Sequence, residues 1–282
     1  MKRKVEKVLE RQPTIEGAGV NLKRVLGSDD NSTLDPFLLL DHFGSDHPED
    51  YIRGFPWHPH RGIETVTYMW AGEVAHGDSM GNKGVIRSGD VQWMTAGSGI
   101  IHQEMPQKYD GLMQGFQLWV NLPAKKKMFD PKYRGITKEQ IPSVQKDGLN
   151  IKVIAGKVNG TQGPVRDLAI DIEYFDVELA EAKTFEHSTH KSNTVFAYVV
   201  NGSIEVDAKP IVGHCAVFSE GDSVKIDSKK GARFLFASGE PLKEPVAWGG
   251  PIVMNTQEEL EQAFVELDEG TFIKTAKRAK LS

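Results

Sequence analysis

A chain of 282 residues with 39% hydrophobic content is long enough for one large or two medium core-forming domains. A net charge of -5 gives no global pull toward nucleic acid or an anionic membrane, and no apolar run is long enough to suggest a membrane span. One cysteine, Cys215, excludes an intrachain disulfide framework, and the basic start MKRKVEKVLERQ lacks the apolar segment of a secretory signal.

The first chemical signal is WHPHRG at 57–62, where His58 and His60 flank a proline. Chance alone gives about 0.3 such His-x-His pairs in a chain with nine histidines, so the pair needs company to mean anything. Side chains at i and i+2 share one face of a strand, whereas in a helix they diverge by about 200°. Glu64 has the same parity, although Gly62 can introduce a bulge between them. IETVTYMWAGEV at 63–74 and GDVQWMTAG at 89–97 then read as strands. They lead into GSGIIHQEMP, where His102 and Glu104 repeat the i, i+2 arrangement.

Further strands follow in GFQLWVNLP, LNIKVIAGKV, EYFDVELA, TVFAYVVNGSIEV, CAVFSEGDSVKI and ARFLFASG. The KKK run at 125–127 and the tail IKTAKRAKLS read as solvated surface and frayed terminus. NTQEELEQAFVELDEG is the one strongly helical segment, with Thr256 and Glu259 spaced as a capping box and Gly270 as a stop. Its stripe, Leu260, Ala263, Phe264 and Leu267, is expected to pack on a core.

Two stretches repeat. TVTYMWAGEV matches TVFAYVVNGSIEV at an offset of 130, aligning Gly72 with Gly202, and GDVQWM matches GDSVKI at an offset of 132. The expected architecture is therefore mainly all-β, with two tandem antiparallel sandwich or barrel units and a C-terminal helix. The boundary falls in the polar stretch KYRGITKEQIPSVQKDG, giving domains 1–135 and 136–282. At offset 132, His102 and Glu104 map onto Phe234 and Phe236, so the second domain is expected to be free of metal.

Two strands that each present a pair of metal-competent side chains make a candidate site of His58, His60, His102 and Glu104. Imidazole with carboxylate and no thiolate suits iron(II), manganese, nickel, copper or zinc, and leaves open positions if the metal is octahedral. His187 and His190, three apart, cannot share a strand face, and His76 has no ligand type at useful spacing.

HPHRGIETVTYMWAGEV, GDVQWMTAGSGIIHQEMP and GFQLWVNLP, together with DPFLLLDHFG and PVAWGGPIVMNT, resemble the pirin family of the cupin superfamily. The resemblance implies two cupin domains and a single iron in the first, held by His58, His60, His102 and Glu104. It implies activity of the quercetin 2,3-dioxygenase type, in which a flavonol-like aromatic substrate and dioxygen react with loss of carbon monoxide. Glu104 is then the first choice for the catalytic base and Glu64 the second. An alternative is an iron-dependent redox-sensing co-regulator that binds a protein partner. Neither reading calls for direct nucleic-acid or membrane contact. The expected location is cytoplasmic, or nuclear in a eukaryote.

Overall fold

The computed structural model describes residues 1–30 and 34–274. The first twelve strands are β1 (Val5–Leu9), β2 (Gln12–Glu16), β3 (Val20–Leu26), β4 (Phe37–Ser45), β5 (Phe55–His60), β6 (Ile63–Ala71), β7 (Glu73–Asp78), β8 (Lys83–Arg87), β9 (Val91–Thr95), β10 (Ile100–Pro106), β11 (Met113–Asn121) and β12 (Lys132–Ile136). Then come β13 (Ser143–Lys146), β14 (Leu149–Ala155), β15 (Lys157–Val158), β16 (Thr161–Gln162), β17 (Ile172–Leu179), β18 (Lys183–Ser188), β19 (Thr194–Gly202) and β20 (Ile204–Val206). The last are β21 (Lys209–Ile211), β22 (Cys215–Phe218), β23 (Ser223–Ser228), β24 (Ala232–Gly239), β25 (Ala247–Gly249) and β26 (Ile252–Met254), followed by helix α1 (Gln257–Asp268). No helix among the described residues is long and apolar enough to cross a membrane.

The chain forms two compact units, and neither is a continuous segment. One comprises Met1–Gln12, Val25–Pro36 and Glu139–Leu242; the other comprises Pro13–Arg24, Phe37–Lys138 and Lys243–Ser282. The main switch lies three residues from the expected 135/136 division. The ends of the chain, however, are exchanged, so β25, β26 and α1 belong to the unit that carries His58 and His102.

In that unit a seven-stranded sheet, order β12-β9-β6-β11-β4-β3-β2, accompanies a four-stranded sheet, order β5-β10-β7-β8. The other unit repeats the plan with β1-β22-β19-β24-β17-β14-β13 and β18-β23-β20-β21. Position by position, β6 corresponds to β19, as the offset of 130 requires, and Gly72 and Gly202 both turn with positive φ. The offset of 132 fails. It lays β9 on β23, whereas β9 corresponds to β22 and β10 to β23. Phe234 and Phe236 on β24 are thus counterparts of β11, not of His102 and Glu104. The counterpart of β10 buries Val224 and Ile226, which join Phe175, Phe185, Phe234 and Phe236 in one apolar cluster. His187 lies against these rings with its Nε2 2.9 Å from Glu173 Oε1.

Helix α1 starts as expected. Thr256 Oγ1 accepts from the Glu259 amide at 3.2 Å, and the Glu259 carboxylate accepts from the Thr256 amide at 3.2 Å. Leu260 and Ala263 are buried, but Phe264 is 40% exposed, so the apolar stripe is narrower than the spacing implied. The KKK run also departs from expectation. Lys127 is buried, and its Nζ donates to Gly62 O, Asn121 Oδ1 and Val253 O at 2.7–2.9 Å. Three acceptors require three protons, so the amine is an ammonium, although burial pulls its pKa down to about 8. Most of the basic tail lies outside the described residues.

Candidate metal centre

β5 and β10 pair antiparallel, with His58 opposite His102 and His60 opposite Ile100, and a bulge between His102 and Glu104. Alternation then turns His58, His60 and His102 to one side. Their ring centroids lie 4.8, 4.4 and 5.0 Å apart, and one ring nitrogen from each falls within 4.8 Å of the others.

The proton inventory shows what this cluster is built for. His58 Nδ1 donates to Pro56 O at 2.8 Å and His60 Nδ1 donates to Pro251 O at 3.1 Å. Each neutral ring therefore carries its one proton on Nδ1, leaving Nε2 as a bare lone pair. Those two Nε2 atoms face each other at 3.1 Å, and His102 Nε2 is buried with no hydrogen-bond partner among the described residues. Burial pushes the pKa of His58 down and those of His60 and His102 well down, and the mutual repulsion of the rings adds to this for the last two. The converging lone pairs of His58 and His60 repel one another unless a cation sits between them, and the unpartnered His102 Nε2 stands beside them. Carbonyls that fix the opposite tautomer are the usual outer partners of metal-ligating histidines. The residues present fit a transition metal.

Glu104 lies outside the three-imidazole cluster but on the same wall. Its Oε1 is 2.6 Å from Thr67 Oγ1, and its Oε2 accepts from Gln117 Nε2 at 3.3 Å. Thr67 Oγ1 is also 2.7 Å from Gln117 Oε1, yet a hydroxyl has only one proton. With the Gln117 amide oriented this way, all three contacts carry a proton only when Glu104 is the neutral acid. Desolvation acts in the same direction, raising the Glu104 pKa against the lowering effect of its two partners.

Glu64 is not brought to the site. The chain changes sheets between β5 and β6, so parity does not carry across Gly62. On β6, Thr65 and Thr67 share the face that meets Glu104, and Glu64 points to the other. There its carboxylate accepts from Trp93 Nε1 at 3.0 Å and Thr95 Oγ1 at 2.6 Å. Gly62 itself is needed. Its φ is +78°, and a Cβ would stand 1.9 Å from Val253 O.

Several wall residues escaped the sequence reading. Trp119 meets His60 edge to face at 5.1 Å, with Trp248 6.0 Å from it. His76, opposite Glu104 in the β7–β10 register, stacks on Tyr133 at 5.0 Å with 2.8 Å between Nε2 and Oη. Only long-range pairing brings these side chains inward. The one local hint was the alternation of HGD in β7. Behind the site, Arg61 is 2% exposed. Its Nε donates to Ser98 O at 2.8 Å and its Nη2 to Phe272 O at 2.9 Å; its Nη1 forms a 2.7 Å ion pair with Glu266, and the guanidinium covers the Phe272 ring at 4.2 Å.

The family model for pirin matches residues 19–120, and that for the pirin C-terminal cupin domain matches residues 174–273. The chain belongs to the pirin family. A pirin-like protein of Caulobacter vibrioides is 45% identical over 273 residues, covering 96% of this chain and 99% of the relative. Human pirin is 41% identical over 267 residues, covering 92% and 90%. Among solved structures, a quercetin 2,3-dioxygenase from Acinetobacter baumannii superposes with a TM-score of 0.91 at 33% identity, covering 96% of this chain and 99% of that one.

Proposed function

We propose that the chain is a metal-dependent dioxygenase acting on flavonols, of the quercetin 2,3-dioxygenase type. The observation that carries this reading is the convergence of three imidazoles, two with Nδ1 fixed by carbonyls and the third with a buried, unpartnered Nε2. His58, His60 and His102 would hold the metal, with Glu104 as the fourth ligand. Iron(II) is the leading candidate, and manganese, nickel, copper and zinc suit the same donors. When bound, the metal supplies a Lewis-acidic centre that orients the enol and ketone oxygens of the flavonol and stabilises its enolate. With a cation among the imidazoles Glu104 would be held ionised, so that it could take the proton of the flavonol 3-hydroxyl onto a carboxylate oxygen while Thr67 and Gln117 keep it in place. Trp119 and Trp248 provide a flat apolar wall against which a planar substrate can stack. Glu64, bound on the opposite face of β6, supports Trp93 and takes no part in proton transfer.

The test is oxygen uptake, carbon monoxide release and loss of flavonol absorption with protein loaded with each of the five metals. Turnover is expected with at least one, and Glu104→Gln should lower kcat by about 10²-fold or more when compared at equal metal occupancy. Absence of turnover with every metal would overturn the proposal.

A further inference from the structure

Beside the imidazoles, the inner face of the seven-stranded sheet carries two rows of side chains. Across β9, β6 and β11 one row reads Gln92, Thr67, Gln117, and the next reads Met94, Thr65, Trp119. Thr67 and Gln117 are occupied by Glu104, and Trp119 meets His60. Three polar atoms in these rows have no partner among the described residues: Thr65 Oγ1, Gln92 Oε1 and Trp119 Nε1. Thr65 is 1% exposed and Gln92 2%. The rest of the wall is fully committed, since Tyr133 bonds Gln92 and His76. Buried polar atoms are rarely left alone, and three on one wall facing a candidate reaction centre call for a common ligand.

The chemistry of the three is specific. An indole N–H only donates, an amide oxygen only accepts, and a threonine hydroxyl does either. Together they complement a hydroxyl group, which accepts from Trp119 or Thr65 and donates to Gln92. No cationic side chain stands in either row. The two buried cations nearby are spent elsewhere, Arg61 on Ser98 O, Phe272 O and Glu266, and Lys127 on three acceptors of its own. A carboxylate or phosphate would therefore find no cationic side chain in either row. The flanking Met94 and Trp119 favour an aromatic body. We propose that Thr65, Gln92 and Trp119 form a subsite for a neutral hydroxyl group on an aromatic ligand. Under the flavonol reading, on which its biological meaning rests, this is a phenolic hydroxyl remote from the oxygens at the metal.

The probe is phenol, compared with toluene, which lacks the hydroxyl, and benzoate, which adds a charge. The readout is the ¹⁵N–¹H resonance of the Trp119 indole in the full-length chain, assigned by its loss in Trp119→Phe. Phenol should shift this resonance saturably and bind at least about tenfold more tightly than toluene or benzoate, because a site built around a hydroxyl rejects the analogue without one. Thr65→Val should reduce that preference to below about threefold, and Thr65→Ser should keep it. Trp119→Phe, followed through competition with a fluorescent phenol, gives the same answer if Thr65→Val fails to fold. Equal binding of phenol and toluene, tighter binding of benzoate, an unmoved resonance as for a resident water only, or a preference that survives both substitutions would overturn the subsite. Flavonol turnover with phenol ignored overturns the subsite alone. Phenol discrimination without flavonol binding supports the subsite and overturns the proposed function.

Discussion

Replacing Arg61 by alanine should loosen the segment that closes the imidazole cluster from behind. The side chain is almost wholly buried and makes two hydrogen bonds to carbonyls, one ion pair and one cation–π contact. Breaking a buried charged pair costs about 3–5 kcal/mol, because its partners are left unmatched. Here Glu266 keeps Lys274 at 2.8 Å, and that partner is 36% exposed, which moves the expectation to the lower end, about 3 kcal/mol. For 282 residues the unfolding entropy is about 0.6 kcal/mol/K, so the melting temperature should fall by about 5 °C. Arg61→Lys should recover only part of this, since an ammonium cannot span Ser98 O, Phe272 O and Glu266 in one plane. Thermal melts of the metal-free protein, with equilibrium denaturation as a second measure, decide it. A loss below about 1 kcal/mol would refute the view that these contacts act together.

The other predictions concern the same neighbourhood. Gly62→Ala combines a positive φ with a Cβ 1.9 Å from Val253 O, and should cost at least about 2 kcal/mol in urea unfolding. His102→Leu removes an unpartnered buried nitrogen, so the metal-free protein should be unchanged or more stable by up to about 1 kcal/mol while elemental analysis shows its bound metal lost. The three histidines have depressed pKa values, so between those values and the ordinary 6.5 the unfolded chain binds more protons than the folded one. Stability and metal affinity should therefore both fall as pH drops below about 6.5, measured by denaturation and by competition with a chromogenic chelator.

Alternation made the candidate cluster legible in the sequence. His58 and His60 share a face because β5 is a strand, and His102 and Glu104 because β10 is one. The capping box of α1 is a local motif and was equally visible. What local pattern could not supply was register between distant strands. Thr67 and Gln117 come to Glu104 because β6 and β11 pair at that position, fifty residues apart in the chain. Glu64 was misread because parity was carried through a residue where the backbone leaves one sheet for another. The alignment at offset 132 failed similarly, matching a short motif across strands that hold different places in the two units. Lys127 looked like surface because a charge run usually is, and only its three acceptors explain its burial.

The hydrogen bond from His60 to Pro251 joins residues 191 positions apart. The imidazoles are gathered by the pairing of β5 with β10, whereas the carbonyl that sets the tautomer of His60 comes from the turn between β25 and β26. The three rings can therefore meet without one of them being held in that tautomer. A metal bound by these rings would be sensitive, through His60, to the docking of the β25–β26 hairpin.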